Sequence, residues 1–337
     1  MKKLLLLTVI LTLLLGGCTA AQPAAPAAVQ TEAPAVLTET PATEMPAETK
    51  TAAAEKITIY APASTSSIPV ILAASQMKNA ELTLYTNQAQ VNTLFLRGDV
   101  DILVTGLSVG VDMYKNGAPV AVANSYVSGL SYLLTYDKKV GSLAELKGQE
   151  IYIPFKGSPI EQVTAHLAQQ ANLNWPDDFK PVYMPFESSI ELLKQGKAGA
   201  VVLPEPFVSL LESQPKINIS LSYFDEWQKA HPEDAGYPQV GALVNPDWAQ
   251  ANAAQIEQFN QAMAAALNSI EKDPAAAAEA VKSNYKFPAP VLLKSLNRTR
   301  YHLVSGDEMR QSITAFYTEI GKPLDESYAK FFYLPAK

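Results

Sequence analysis

Cysteine occurs once in the 337 residues, at Cys18, so the rest of the chain can form neither a disulfide nor a thiolate metal site. The three histidines, His166, His231 and His302, are far apart in sequence, and no His/Cys/Asp spacing suggests a metal centre. Neither a metal nor a cofactor is expected. Arginine is confined to Arg97, Arg298, Arg300 and Arg310, and 33 Asp+Glu outnumber 26 Lys+Arg for a net charge of −7. Nucleic acid is therefore excluded as a partner, because phosphate binding needs clustered basic side chains. Beyond Leu15 no apolar run reaches the roughly 20 residues of a membrane-spanning helix. Catalytic signatures are sparse: Gly106-Leu107-Ser108-Val109-Gly110 matches G-x-S-x-G by pattern alone, and there is no G-x-x-x-x-G-K loop. Ser75-Gln76-Met77-Lys78 fits S-x-x-K but lacks the companion Ser-Asp-Asn and Lys-Thr-Gly elements. No catalytic residue is assigned.

The amino terminus carries an address. Met1-Lys2-Lys3 is basic, Leu4 to Leu15 is apolar apart from Thr8 and Thr12, and Gly16-Gly17 precedes Cys18. Basic, apolar and small-residue segments in that order describe a secretory signal over residues 1–17. A cysteine at the cleavage point resembles the bacterial lipobox, which implies a lipidated Cys18 at the mature N-terminus. Thr19 follows in place of Asp, so nothing signals inner-membrane retention. Residues 18–55 are almost entirely Ala, Pro, Thr, Glu, Gln and Val, with no aromatic. Such a segment cannot offset its ordering entropy by burial, and its prolines keep it semi-extended. The expectation is a tether holding a folded domain, as a monomer, at the extracytoplasmic face of the cell membrane.

From Lys56 onward strand and helix patterns alternate. Ile57–Tyr60, Leu82–Tyr85, Asp101–Val104 and Pro119–Val122 read as strands, with helices over Ile68–Met77, Gln88–Leu96 and Val109–Lys115 between them. Asn124–Tyr136 is a longer β-rich stretch. The pattern then repeats: strands at Glu150–Ile153, Lys180–Met184 and Ala200–Leu203 alternate with helices at Pro159–Ala171, Ser188–Gln195 and Phe207–Glu212. Val240–Val244 reads as a strand that returns to the first half, and helices follow from Ala249. The fold class expected is α/β with two lobes: 56–136 and 241–337 as lobe 1 with C-terminal helices, and 137–240 as lobe 2. A hinge is expected near Tyr136 and Val240, and a ligand in the cleft beyond the strands' carboxyl ends.

Several stretches carry a family likeness in order along the chain: Leu96-Arg97-Gly98-Asp99-Val100-Asp101, Lys115-Asn116-Gly117-Ala118-Pro119-Val120, Ser142-Leu143-Ala144-Glu145-Leu146-Lys147-Gly148-Gln149, Lys194-Gln195-Gly196-Lys197-Ala198-Gly199-Ala200 and Leu203-Pro204-Glu205-Pro206-Phe207. Together they resemble the type-2 periplasmic binding proteins of the nitrate, sulfonate, taurine and thiamine-precursor class. The resemblance implies an ABC-transporter substrate-binding lipoprotein that delivers a small molecule to permease and ATPase subunits. Asp99 and Asp101, although paired carboxylates, fall in a helix-to-strand turn away from the cleft and read as structural.

The candidate ligand-binding residues sit in four loops. Ser64, Thr65 and Ser66 follow the first strand and lead into a helix, where hydroxyl and amide donors collect. Ser108 lies at the end of the third strand. Ser158, before Pro159, is a helix cap and a potential donor. Glu205 ends a strand and begins a helix; it either complements that helix dipole or receives a ligand N–H. Tyr126, Phe155 and Phe186 are candidates for stacking on a flat ligand. No arginine lies in these loops and Glu205 would repel anions, which favours a neutral or amine-bearing heterocycle such as a thiamine-type pyrimidine or riboflavin. Taurine or another alkanesulfonate is the alternative, and a same-fold enzyme of pyrimidine or cofactor synthesis is the rival from another class.

Overall fold

The computed structural model describes residues 56–335. The expected signal peptide, the Cys18 lipidation site and the tether lie outside the described residues.

In chain order the strands are β1 (Ile57–Pro62), β2 (Ala80–Tyr85), β3 (Ile102–Gly106), β4 (Ala121–Gly129), β5 (Ser131–Tyr136), β6 (Glu150–Ile153), β7 (Lys180–Tyr183), β8 (Ala200–Pro204), β9 (Ile217–Ser222), β10 (Val240–Val244) and β11 (Arg300–Ser305). They make two sheets, β11-β4-β10-β3-β1-β2 and β7-β6-β8-β5-β9. In each, parallel pairs (β1 with β2 and β3; β6 with β7 and β8) meet one strand laid antiparallel, β10 in the first and β5 in the second. The fold class is thus α/β with two lobes, as the alternating pattern implies.

Alternation sets the burial. In β1, Ile57, Ile59 and Ala61 point inward and are fully buried. On one face of the first sheet lie α1 (Ile68–Gln76) and the 20-residue α9 (Ala253–Lys272), whose Ile256, Phe259, Met263 and Ala266 recur at helical spacing and pack with Ile59, Val70 and Ala242. Truncating a side chain as buried as Phe259 to alanine costs about 3–5 kcal/mol in such a core. The largest cluster runs through both lobes, joining Leu103 and Leu107 of the first to Ile151, Ile153 and Val163 of the second.

Three elements are absent from the expected set: β9, although its INISLS alternates apolar and polar residues, the helix α7 (Tyr223–Ala230) and β11. The last is an edge strand of mixed polarity (RYHLVS) paired irregularly with β4, so no clean two-residue period marks it.

The lobe boundary needs a correction. Ser131–Tyr136, expected to finish lobe 1, is β5 in the middle of the second sheet. The chain crosses between Gly129 and Ser131, at Leu130, and not near Tyr136. The β pattern runs almost unbroken through 121–136, so nothing periodic marks a change of sheet. The return crossing, which leads into β10, lies beside the first: Tyr237 N–H donates to Ser128 O (3.1 Å) and Gln239 N–H to Val127 O (2.8 Å). At Gly236, with φ of 103°, a Cβ would stand 2.3 Å from the Ser128 carbonyl oxygen, so only glycine allows this approach.

Candidate ligand-binding cleft

The carboxyl ends of the parallel strands carry the predicted loops, and hydrogen bonds join the loops after β3 and β8 through the segment around Gln239. After β3 begins α3 (Leu107–Lys115), whose Leu107 N–H donates to Gln239 O at 3.0 Å. The Gln239 side chain donates through Nε2 to Ser131 Oγ at 3.0 Å. Ser131 pairs with Pro204 across β5 and β8, and Glu205 N–H donates to Leu130 O at 3.0 Å. The lobes meet here: a Cβ on Gly106 would stand 2.6 Å from Pro159 Cγ, at the start of α4 (Pro159–Gln170) in the second lobe.

The loop after β1 is held by three tyrosines. Tyr285, Tyr301 and Tyr126 donate their hydroxyls to the carbonyls of Ser64 (3.0 Å), Thr65 (3.1 Å) and Ser66 (2.7 Å) in turn. Burial raises the pKa of each phenol, so all three stay protonated donors. Tyr126 itself is completely buried in the core. Its predicted stacking role is therefore corrected: it positions the Ser66 backbone, because the ring fills the space between sheet and helix.

The predicted residues differ in how much hydrogen bonding they retain. Thr65, Ser66, Ser108, Ser158 and Glu205 are all buried. Ser64 and Ser66 share a hydrogen bond, Oγ to Oγ, at 2.7 Å. Ser158 caps α4, accepting from Glu161 N–H at 3.1 Å, while Glu161 reaches back to Gly157 N–H at 2.5 Å. Thr65 Oγ1, Ser108 Oγ and Gln239 Oε1, by contrast, are buried without any hydrogen-bond partner. Buried polar atoms are rarely left so.

Glu205 is fully enclosed beside the five-residue α6 (Phe207–Leu211). Its carboxyl accepts from Ser209 N–H (3.1 Å) and Ser209 Oγ–H (3.0 Å). Burial raises its pKa to about 7, against the lowering effect of the Ser209 bonds and of Arg298, whose Nη1 is 3.8 Å away. Arg298 ends α11 (Ala289–Arg298) in the first lobe, donates to Ser209 Oγ (2.9 Å) and pairs with Glu212. A guanidinium thus does reach this end of the cleft. Sequence spacing could not show it, since Arg298 lies 93 positions from Glu205 and arrives only through the interlobe contact.

The remaining aromatics divide. Phe155, 44% exposed, lies on the rim with Lys156, over a groove of ≈ 770 Å³ lined also by Gln88 and Asn92 of α2 (Gln88–Arg97) and Asp112 and Met113 of α3. Phe186 is half-buried and packs on Phe207 (ring centroids 5.5 Å), which meets Phe287 edge-on at 5.9 Å. The structural reading of Asp101 holds: its carboxylate accepts from Thr58 N–H and Thr58 Oγ1–H, each at 2.7 Å. His166 and His231 lie with ring centroids 6.0 Å apart, and Glu319 lies close to both. Strand order, which spacing does not encode, brings them together.

Solved structures share this architecture. An alkanesulfonate-binding protein from Xanthomonas axonopodis pv. citri, bound to MOPS, is 16% identical with a TM-score of 0.68, over 84% of this chain and 100% of that one. The periplasmic aliphatic sulphonate-binding protein of Escherichia coli is 18% identical with a TM-score of 0.65, over 85% and 94%. The ligand-binding component of an ABC-type import system from Staphylococcus aureus, with zinc bound, is 16% identical with a TM-score of 0.67, over 83% and 97%. At these identities the likeness establishes the periplasmic binding protein fold. No curated protein sequence matches. The NMT1-like family profile matches residues 72–283, which run from the first helix of lobe 1 through the whole second lobe to the C-terminal helices, and the chain therefore belongs to the NMT1-like family.

Proposed function

We propose that this protein is the extracytoplasmic solute-binding component of an ABC importer, that it captures a small organic molecule between its lobes and hands it to permease subunits, and that it does so without chemical turnover. One observation carries the reading: Thr65 Oγ1 and Ser108 Oγ are buried and unpartnered at the carboxyl ends of β1 and β3, in a fold shared with import-system binding proteins. Membrane attachment would come through an acylated Cys18 and the tether of residues 18–55. Lobe closure about Leu130 and the 231–239 crossing would trap the ligand.

For the ligand, a flat heterocycle bearing N–H groups is the better match. Each Glu205 carboxyl oxygen accepts one bond from Ser209 and keeps lone pairs for a ring N–H or amine. Glu205 and Glu212 also compensate Arg298, leaving little net positive charge to attract a strong anion. Phe155 and Phe186 supply apolar surface at the rim. A sulfonate is the second reading, favoured by the unpartnered hydroxyls of Thr65, ahead of α1, and Ser108, in the first turn of α3.

The deciding experiment is mass spectrometry of the compound released on denaturing protein purified from its own host, followed by calorimetry with that compound. Thr65→Val and Ser108→Ala should each weaken binding about tenfold, one hydrogen bond's worth. Glu205→Gln should weaken a heterocycle by roughly ten- to a hundredfold, through loss of a charge-assisted bond. Taurine bound tightly, and equally by Glu205→Gln, would replace the first reading with the second. A compound chemically altered during incubation would refute the transport role.

A further inference from the structure

Behind the cleft, away from Thr65 and Ser108, lies a second polar constellation. His166 is on α4 of the second lobe, and His231 directly follows α7, where the chain turns back toward the first lobe. Glu319 is the last residue of α12 (Gly306–Glu319), a helix packed on β4 and β11 of the first sheet. One ligand-type atom from each of the three lies within 4.8 Å of the others. Glu319 Oε1 is 3.5 Å from His231 Nε2 and 3.9 Å from His166 Nε2. His231 and Glu319 line a cavity of ≈ 580 Å³ that also includes Trp227, Asp234 and Phe316.

Packing alone does not account for His166. Its side chain is 4% exposed, and both ring nitrogens are buried with no hydrogen-bond partner. An imidazole has two polar atoms, and leaving both unmet in a protein interior is costly. The rings are nonetheless held in place: Trp227 packs on His231 at 4.4 Å and on His166 at 5.0 Å between centroids. His231 Nδ1 is 4.0 Å from Asp234 Oδ2, a carboxylate behind the ring that leaves Nε2 toward Glu319. Gln170 Nε2 approaches that same nitrogen at 3.4 Å, a long contact that an ion would displace.

We propose that His166, His231 and Glu319 form a binding site for a borderline divalent transition-metal ion of the zinc class, at the seam between the lobes. Two imidazoles and one carboxylate suit such an ion better than Mg²⁺ or Ca²⁺, which take oxygen donors. Bonds of roughly 2.0–2.2 Å in a tetrahedron require the donor atoms to stand about 3.3 Å apart. The Glu319 separations exceed this by well under 1 Å, within reach of side-chain rotation. The fourth position would face the cavity and hold water. Because α4 belongs to one lobe and α12 to the other, a bound ion ties the lobes together behind the cleft and resists their relative movement.

Cobalt(II) is the probe, since its visible absorption reports coordination directly. The untagged chain, titrated with Co²⁺, should bind one equivalent with an absorption characteristic of nitrogen and oxygen ligands, and Zn²⁺ should displace it. Glu319→Gln alters a half-exposed side chain and should fold normally, yet it should weaken Co²⁺ at least about tenfold; His231→Ala should do the same. His302→Ala, which changes a histidine of the same cavity outside the triad, should bind as the unaltered chain does. Unchanged affinity in both triad variants, or loss of binding in His302→Ala alone, would overturn the assignment. So would the absence of any binding to the unaltered chain at millimolar Co²⁺.

Discussion

Glu205 offers the sharpest test of the cleft's physics. Its carboxyl is held at a pKa of about 7 in the fold, against an ordinary 4.5, chiefly because burial disfavours the anion. A carboxyl with a raised folded pKa favours the native state while protonated. Its contribution is therefore complete below about 4.5 and is lost as pH rises through about 7. A rise from 4.5 to about 7, at about 1.4 kcal/mol per unit, amounts to about 3 kcal/mol of pH-dependent stability. Glu205→Gln cannot titrate, and its amide can still accept from the Ser209 N–H. Other groups titrate equally in both proteins, so the difference between them isolates Glu205. Urea unfolding followed by fluorescence of Trp175, Trp227 and Trp248 at pH 5, 6, 7 and 8 would measure it. The variant should gain on the native protein steadily with pH, by about 2.5 kcal/mol between pH 5 and 8, most of it below pH 7.5. Parallel curves, with a difference constant to within about 0.5 kcal/mol, would show that Glu205 is not desolvated as the structure has it.

Two further outcomes follow from single residues. Gly106→Ala places a methyl 2.6 Å from Pro159 Cγ, so the lobes must part slightly; ligand affinity should fall while thermal stability without ligand changes little, and equal affinity would mean that the lobes do not close at this contact. Cys18→Ser should release the protein from membranes or leave the signal uncleaved, and a processed variant still bound after alkaline washing would refute lipid anchoring at that residue.

The division between what the chain's order encodes and what its folding creates is physical. Local pattern was enough for most strands and helices, because burial of one face imposes periods of 2 and 3.6 on residues such as Ile57, Ile59 and Phe259. The same logic put Thr65, Ser108, Ser158 and Glu205 at strand ends and helix starts, which are local features. Lobe assignment of Ser131–Tyr136 was not legible: period 2 says that a strand exists, not which sheet receives it. Nor was the roll of Tyr126, Tyr285 and Tyr301 in presenting the carbonyls of residues 64–66, which depends on contacts spanning up to 236 positions. Arg298 beside Glu205, and His166 with His231 and Glu319, are likewise products of tertiary packing. Their meeting is fixed by how two lobes dock, and docking is decided by the summed complementarity of distant surfaces, for which no short stretch of sequence carries a signal.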